Sequence, residues 1–201
     1  MNTVVQQRRR NFTYGDYRHW PEDERWELID GEAFNMSPAP SRQHQDVVVE
    51  MLRQTANFLQ GKPCRPYVAP FDVRLPKAGE ADDAVNTVVQ PDLAVVCDAA
   101  KLDQAGCRGA PDWVVEVISP HTAAKDHVRK RELYERHGVK EYWLVHPLDR
   151  VVTRYVLANG RYAQPLIEEA VGRTAVACLP GLEIDWEFLN PPDDTRPGPA
   201  G

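Results

Sequence analysis

The chain has 201 residues, a formal net charge of −6 at pH 7, 42% hydrophobic and 27% charged residues, which suits one domain with a substantial core. No apolar run approaches the roughly 18 residues of a membrane span, and the opening residues, which include Arg8-Arg9-Arg10, lack the apolar stretch of a secretory signal. The acidic balance excludes a surface coated in positive charge for generic nucleic-acid binding, although a local basic patch remains compatible with it. The four cysteines form no CxxC pair and no zinc spacing, so they read as reduced, partly buried thiols of a cytoplasmic protein.

In chain order, residues 1–11 read as a mobile arm, 12–190 as a single domain, and 191–201 (PPDDTRPGPAG from Pro191) as a disordered tail. Trp26 to Phe34 reads as a hairpin turning at Asp30-Gly31. Ser37-Pro38-Ala39-Pro40 breaks structure, and Ser41 caps a helix. Its apolar stripe (Val47, Val48, Met51, Leu52, Thr55, Phe58, Leu59) runs to Gly61. Tyr67–Leu75 and Val88–Val96 read as strands joined by a polar turn, and Trp113–Ile118 as a third strand. A second helix is expected from about Ala123 to His137, closed by Gly138, followed by a strand at 141–145. Short strands around 151–156, 162–166 and 175–178, with an Asn159-Gly160 turn, complete an antiparallel extension at the C-terminus. The pattern is α/β or α+β, with helices packed on a sheet.

The chemistry begins with Glu116. Period 2 puts Trp113, Val115 and Val117 on one strand face and Val114, Glu116 and Ile118 on the other, so Glu116 is the one charge on an apolar face. A strand-end carboxylate paired with an arginine is the structural alternative. Asp92 follows Pro91 at the edge of another apolar run, where Pro-Asp also serves plain turns. Two neighbouring carboxylates repel unless a cation lies between them, and carboxylates, a backbone carbonyl and waters are ligands of Mg²⁺ or Mn²⁺. Lys130 shares a helical stripe with Leu133 and Tyr134, which directs it toward the sheet rather than toward water. A snorkelling stem is the bland alternative. Asp92 and Glu116 holding a metal, with Lys130 assisting the attack of water, is a coherent phosphodiester-hydrolysing site. Residues 125–140 carry six Lys/Arg against three carboxylates, and Arg129, Arg131 and Arg136 are the expected contacts to DNA phosphates, with a solvated helix face as the default.

Together these residues resemble the PD-(D/E)XK nuclease superfamily, and within it a bacterial restriction-endonuclease-like family long known as a domain of unknown function. The resemblance rests on Trp26-Glu27-Leu28-Ile29-Asp30-Gly31-Glu32, Met36-Ser37-Pro38, His44, Gln90-Pro91-Asp92-Leu93 and Pro111-Asp112. It continues through Val115-Glu116-Val117-Ile118-Ser119-Pro120, Asp126, Lys130, Tyr134, Gly138-Val139 and Glu141-Tyr142-Trp143-Leu144-Val145. It covers roughly residues 12–150 and implies a restriction-endonuclease-like mixed central sheet flanked by helices. The superfamily lysine ordinarily lies two residues after the acid, where Ile118 stands here. In this branch it moves to the next helix, which Lys130 matches. The resemblance also implies Glu27 as an additional acid and His44 as a cleft residue, although His44 by itself reads as a core histidine and Glu27 equally as a solvated strand carboxylate.

The expectation is a Mg²⁺- or Mn²⁺-dependent endonuclease acting on DNA, as a cytoplasmic homodimer without membrane contact. The alternatives are a nuclease fold kept as a binding or assembly module, with Trp143 or Trp186 at an interface, and a metal-dependent phosphoesterase on another substrate. Specificity is expected from loops 77–87 and 97–110.

Overall fold

The structure, a computed structural model, describes residues 11–21, 23–36, 39–119 and 125–189, without the side chains of 125–127. The expected arm up to residue 10, the tail, Ser37-Pro38 and the approach to the second helix at 120–124 lie outside the described residues.

The chain opens with a short helix, α1 (Tyr14–Tyr17), which the sequence reading did not anticipate. The expected hairpin follows as β1 (Trp26–Ile29) and β2 (Glu32–Asn35). Asp30 at φ 50° and Gly31 at φ 79° are both left-handed, the backbone that a two-residue turn between twisted strands requires. The positive φ at Gly31 strains any other residue there, and a Cβ would also press on the Asn11 side chain, 2.0 Å from its Oδ1, which would have to move. Helix α2 (Arg42–Leu59) starts where Ser41 Oγ accepts from His44 N at 3.2 Å. It buries Val47, Met51, Thr55 and Leu59, one residue per turn.

The two long expected strands are each broken. Tyr67–Leu75 becomes β3 (Arg65–Val68) and β4 (Val73–Arg74), and Val88–Val96 becomes β5 (Val88–Val89) and β6 (Leu93–Val96). β3 pairs β6 and β4 pairs β5, both antiparallel, but the first pair belongs to a seven-stranded sheet and the second to a six-stranded one. The ribbon therefore changes sheets at two adjacent corners, 69–72 and 90–92. Pro70 and Pro91 sit in these corners, where the ladder has no use for their missing N–H.

After β7 (Leu102–Asp103), β8 (Gly106–Arg108) and β9 (Trp113–Val117), a π-helical turn at Lys125–Lys130 runs into α3 (Arg131–His137). Gly138 at φ 82° ends it in the left-handed cap. The remaining strands are β10 (Glu141–His146), β11 (Val151–Ala158), β12 (Arg161–Tyr162), β13 (Leu166–Glu169), β14 (Arg173–Ala175) and β15 (Glu183–Asp185). The seven-stranded sheet runs β12-β11-β10-β9-β6-β3 with β13 also on β11, and only β9–β10 in it is parallel. The six-stranded sheet runs β2-β1-β5-β4-β8-β7, and β14–β15 form a separate ribbon. The fold is α+β with mixed sheets.

β9 lies at the centre and is buried on both faces, which explains its unbroken apolar character. Trp113, Val115 and Val117 pack with Val47 and Met51 of α2 and with Trp143 and Trp186. Val114 packs with Leu133 and Tyr134 of α3 and with Ile29, Val73 and Val89 of the six-stranded sheet. The layers are thus α2 with the C-terminal ribbon, then the seven-stranded sheet, then α3 with the six-stranded sheet. Trp143 and Trp186 are fully buried, so neither serves as an interface residue.

One expectation about the cysteines is overturned. Cys64 and Cys97 continue the β3–β6 pairing by one residue and are joined as a cross-strand disulfide, leaving Cys107 and Cys178 as free thiols. Sequence spacing carries no signal for such a pair, because the partners meet only through sheet register. The inference of a reducing compartment loses that support. Among the described residues no helix is long and apolar enough to cross a membrane.

Candidate active site

Three buried charges meet between the two sheets. Glu116 comes from β9, on the face opposite Trp113 and Val115; Glu27 comes from β1; Lys130 comes from the last residue of the π-helical turn. Lys130 Nζ lies 2.8 Å from Glu116 Oε1 and 2.8 Å from Glu27 Oε1. The lysine side chain is 2% exposed and that of Glu27 0%, which rules out a snorkelling ammonium. Burying any one of these charges alone would cost several kcal/mol, and their mutual pairing offsets it.

Further donors fix the carboxylates. Tyr134 OH, one helical turn beyond Lys130, donates to the same Glu116 Oε1 at 2.9 Å. Gln90 N donates to Glu27 Oε1 at 3.1 Å. Carboxylates bound by charged or oriented donors lose rotamer freedom, which presents them to the site in fixed positions.

Asp92 stands at the corner where the chain enters β6. Leu93 pairs with Val115, so the register places Asp92 across from Glu116. Val117 N donates to Asp92 Oδ2 at 2.7 Å, tying the corner to the acid strand. His44 Nε2 lies 3.1 Å from the same oxygen, reaching it from α2 on the other side of the sheet. His44 Nδ1 is buried without a hydrogen-bond partner among the described residues. His44 therefore touches Asp92 rather than acting as a purely apolar core residue.

Glu27, Glu116 and Lys130 thus form one side-chain cluster and Asp92 with His44 a second, the two joined through the main-chain N of Val117 beside Glu116. Tyr134 belongs to the first as well. It stands within the quoted motifs, and its i+4 spacing from Lys130 on a buried stripe was the available signal for its role.

The expected phosphate-binding arginines lie at the rim and already have partners. Arg129 Nη1 is 2.8 Å from Glu32 Oε2, Arg136 Nη2 is 2.8 Å from Asp30 Oδ1, and Arg131 Nη2 is 3.8 Å from Glu132 Oε1. The hairpin acids Asp30 and Glu32 neutralise much of the local positive surplus. These pairs are half-exposed, so each holds with at most about 1 kcal/mol and a phosphate can replace the carboxylate. The loops 77–87 and 97–110 are joined through buried Arg74, which reaches Asp82 Oδ2 at 2.6 Å and Asp103 Oδ1 at 2.6 Å.

Whether this donor set suits a divalent cation follows from its chemistry. Among the described residues no three His, Cys, Asp or Glu side chains form a ready metal cage. Mg²⁺ seldom uses such a cage; one or two carboxylates with waters and substrate phosphates suffice. Lys130 pairs Glu27 and Glu116, while Asp92, across from Glu116 by register, is held by Val117 N and His44, so three carboxylates stand against one lysine. The residues fit a hard divalent ion.

Comparison with known proteins places the chain in a family. The chain is 28% identical over 134 residues to the uncharacterized protein slr1290 of Synechocystis sp. (strain PCC 6803), a match spanning 65% of this chain and 65% of that protein. Its fold resembles a crystal structure described as "a putative nuclease belonging to DUF820" from Anabaena variabilis, with a TM-score of 0.70 and 17% identity, covering 89% of this chain and 97% of that one. At that identity the likeness establishes the fold. The family model described as "Putative restriction endonuclease" matches residues 14–187, and the chain accordingly belongs to the Uma2 family, within the restriction-endonuclease-like superfamily.

Proposed function

We propose that this protein is a Mg²⁺- or Mn²⁺-dependent endonuclease that hydrolyses phosphodiester bonds of DNA. The observation that carries the reading is the meeting of Lys130 with Glu116 at 2.8 Å, beside an Asp92 anchored on the next residue of the same strand. A lysine on the following helix thereby stands at the acid whose own strand offers only Ile118.

Asp92 and Glu116 would hold the cation, with the main-chain carbonyl of Val117 as a further oxygen donor. When bound, such an ion lowers the pKa of water and offsets charge on the phosphate. Lys130 orients the attacking water and stabilises charge on the phosphoryl oxygens. The water oxygen bonds to phosphorus and gives up a proton to solvent, the P–O bond to the leaving sugar oxygen breaks, and that oxygen takes up a proton from solvent. Glu27 holds Lys130 on its other side, and His44 holds Asp92.

Arg129, Arg131 and Arg136 would exchange their surface carboxylates for DNA phosphates. Replacing each by alanine should lower the salt slope of DNA binding by about 0.9 per lost contact. Cutting both strands would require two copies related by a twofold axis, which sedimentation of the protein with and without DNA tests.

A second reading, a nuclease fold retained as a binding module, is favoured by one observation: the buried Lys130 ammonium pairs both Glu27 and Glu116, so the protein's own cation meets these carboxylates. Calorimetry with Mn²⁺ separates the two. Micromolar to millimolar binding together with DNA cleavage supports the nuclease; a folded protein that binds DNA but no metal supports the module.

A further inference from the structure

Gln90 occupies the corner between β5 and β6, directly before Pro91-Asp92, and it is nearly fully buried. A buried amide has one acceptor end and one donor end, and each must meet the opposite kind of group. At Gln90 both ends do. Its Oε1 accepts from Arg25 Nη2 at 2.9 Å and from Arg25 Nε at 3.2 Å. Its Nε2 donates to Asp72 Oδ1 at 2.9 Å and to Tyr17 OH at 3.2 Å. Tyr17 in turn donates its own proton to Asp72 Oδ1 at 2.9 Å. The polarity admits one orientation, because the guanidinium only donates and the carboxylate accepts.

These bonds join three pieces of the fold. Asp72 lies in the neighbouring corner, where the other half of the ribbon changes sheets, so Gln90 staples the two corners together. Arg25 precedes β1, the strand that carries Glu27. The main-chain N of Gln90 donates to Glu27 Oε1, and Asp92 follows two residues later. One residue thus fixes the position of Glu27 on one side and of Asp92 on the other.

We propose that Gln90 is a positioning residue: its side-chain amide holds the corner that places Asp92, a ligand of the divalent cation, and Glu27, which holds Lys130, and thereby sets the affinity of the site for that cation. The claim rests on the nuclease reading above. Gln90 touches neither the cation nor the substrate; it acts through the carboxylates. Groups that orient metal-binding side chains in this way typically change metal affinity about 10–100-fold when lost.

The test compares wild type with Gln90→Glu, Gln90→Met and Arg25→Met. Gln90→Glu keeps the shape but turns a carboxylate oxygen toward Asp72; Gln90→Met keeps the length and removes both polar ends. Arg25→Met, at a half-buried position, removes the acceptor-side partner and keeps the variant set informative should the Gln90 changes fail to fold. Mn²⁺ binding is measured by calorimetry, and DNA cleavage as a function of Mg²⁺ concentration, after circular dichroism has shown each protein folded. The expected result is Mn²⁺ affinity weakened by roughly 10-fold or more in the Gln90 variants and less in Arg25→Met. Cleavage at saturating Mg²⁺ should return to within about threefold of wild type, because the chemical groups are intact. Folded Gln90 variants with wild-type Mn²⁺ affinity and wild-type Mg²⁺ dependence overturn the assignment while leaving the nuclease reading in place. A wild type that binds no Mn²⁺ and cuts no DNA overturns both.

Discussion

Val117 N donates to Asp92 Oδ2 at 2.7 Å, a bond between the amide beside one acid and the carboxylate of another. It joins the corner at 90–92 to the central strand β9 and holds Asp92 across from Glu116. The site is therefore built on sheet register rather than on a loop, and its parts share the stability of the core.

The ammonium of Lys130 is held between two buried carboxylates, so its removal should be costly. Lys130→Met is expected to lose about 3–5 kcal/mol of stability at pH 7.5, since Glu27 and Glu116 would face each other across a dry space. Unpaired, they would take up protons in the folded state at a pH where the unfolded chain does not. Folded-state pKa values raised in this way make the variant gain stability as pH falls toward 5. Urea melts at pH 7.5 and pH 5 check both signs; a variant as stable as wild type at pH 7.5 contradicts the pairing.

Tyr134 contributes a single hydroxyl to the site. Tyr134→Phe leaves the ring in the core beside Leu133 and removes the bond to Glu116, for an expected loss of about 1.5–3 kcal/mol. Thermal or urea unfolding measures it, and a loss below about 0.5 kcal/mol would show that Glu116 does not depend on this donor.

Asp72 carries a pH signature of its own. Burial is the largest influence on its carboxyl and raises its pKa above the usual carboxylate range, against the lowering effect of the bonds from Gln90 and Tyr17. Between the ordinary aspartate pKa near 4 and the raised folded value, the folded state holds more protons than the unfolded one. Stability from this group is present below that window and declines as pH rises through it. Asp72→Asn should flatten the decline, which unfolding midpoints at half-unit steps from pH 3.5 upward would reveal. An unchanged profile would show that Asp72 does not titrate abnormally.

The cysteines give a chemical prediction. Protein unfolded without reductant should expose two thiols, Cys107 and Cys178, and four after reduction. In the native state neither should react quickly at pH 7.5. Burial pushes the Cys107 thiol up to about 11, and burial followed by the Glu141 carboxylate pushes Cys178 up as well. Replacing both Cys64 and Cys97, which close a loop over a sequence separation of 33, should cost about 2–4 kcal/mol. Unfolded protein that labels four thiols without reductant contradicts the bridge.

Much of this arrangement is legible in the sequence, and the exceptions share a cause. β9 and the inward face of α3 announce themselves, because a lone Glu116 in an apolar run and a Lys130 in register with Leu133 break local periodicity. The hairpin at Asp30-Gly31, the Ser41 cap and the Gly138 stop are equally local. What eludes the periodicity is the change of sheet. Tyr67–Leu75 and Val88–Val96 read as continuous strands since each half keeps strand-like residues, and only Pro70 and Pro91 hint at the corners. Asp72 and Gln90, polar residues inside those runs, were the signal for the staple between them. The Cys64–Cys97 pairing, the Arg129–Glu32 and Arg136–Asp30 bridges, and the approach of His44 to Asp92 depend on which elements pack together. No spacing along the chain records that.

The central claim is that Asp92, Glu116 and Lys130 form a metal-dependent phosphodiester-cleaving site. The most direct measurement is cleavage of supercoiled and linear DNA by purified wild type, Asp92→Ala, Glu116→Ala and Lys130→Met, with Mg²⁺, with Mn²⁺ and with EDTA. Wild type should cut with either ion and not with EDTA, and each folded variant should fall by about 100-fold or more. Cleavage by Asp92→Ala or Glu116→Ala at the wild-type rate, or cleavage undiminished by EDTA, would contradict it.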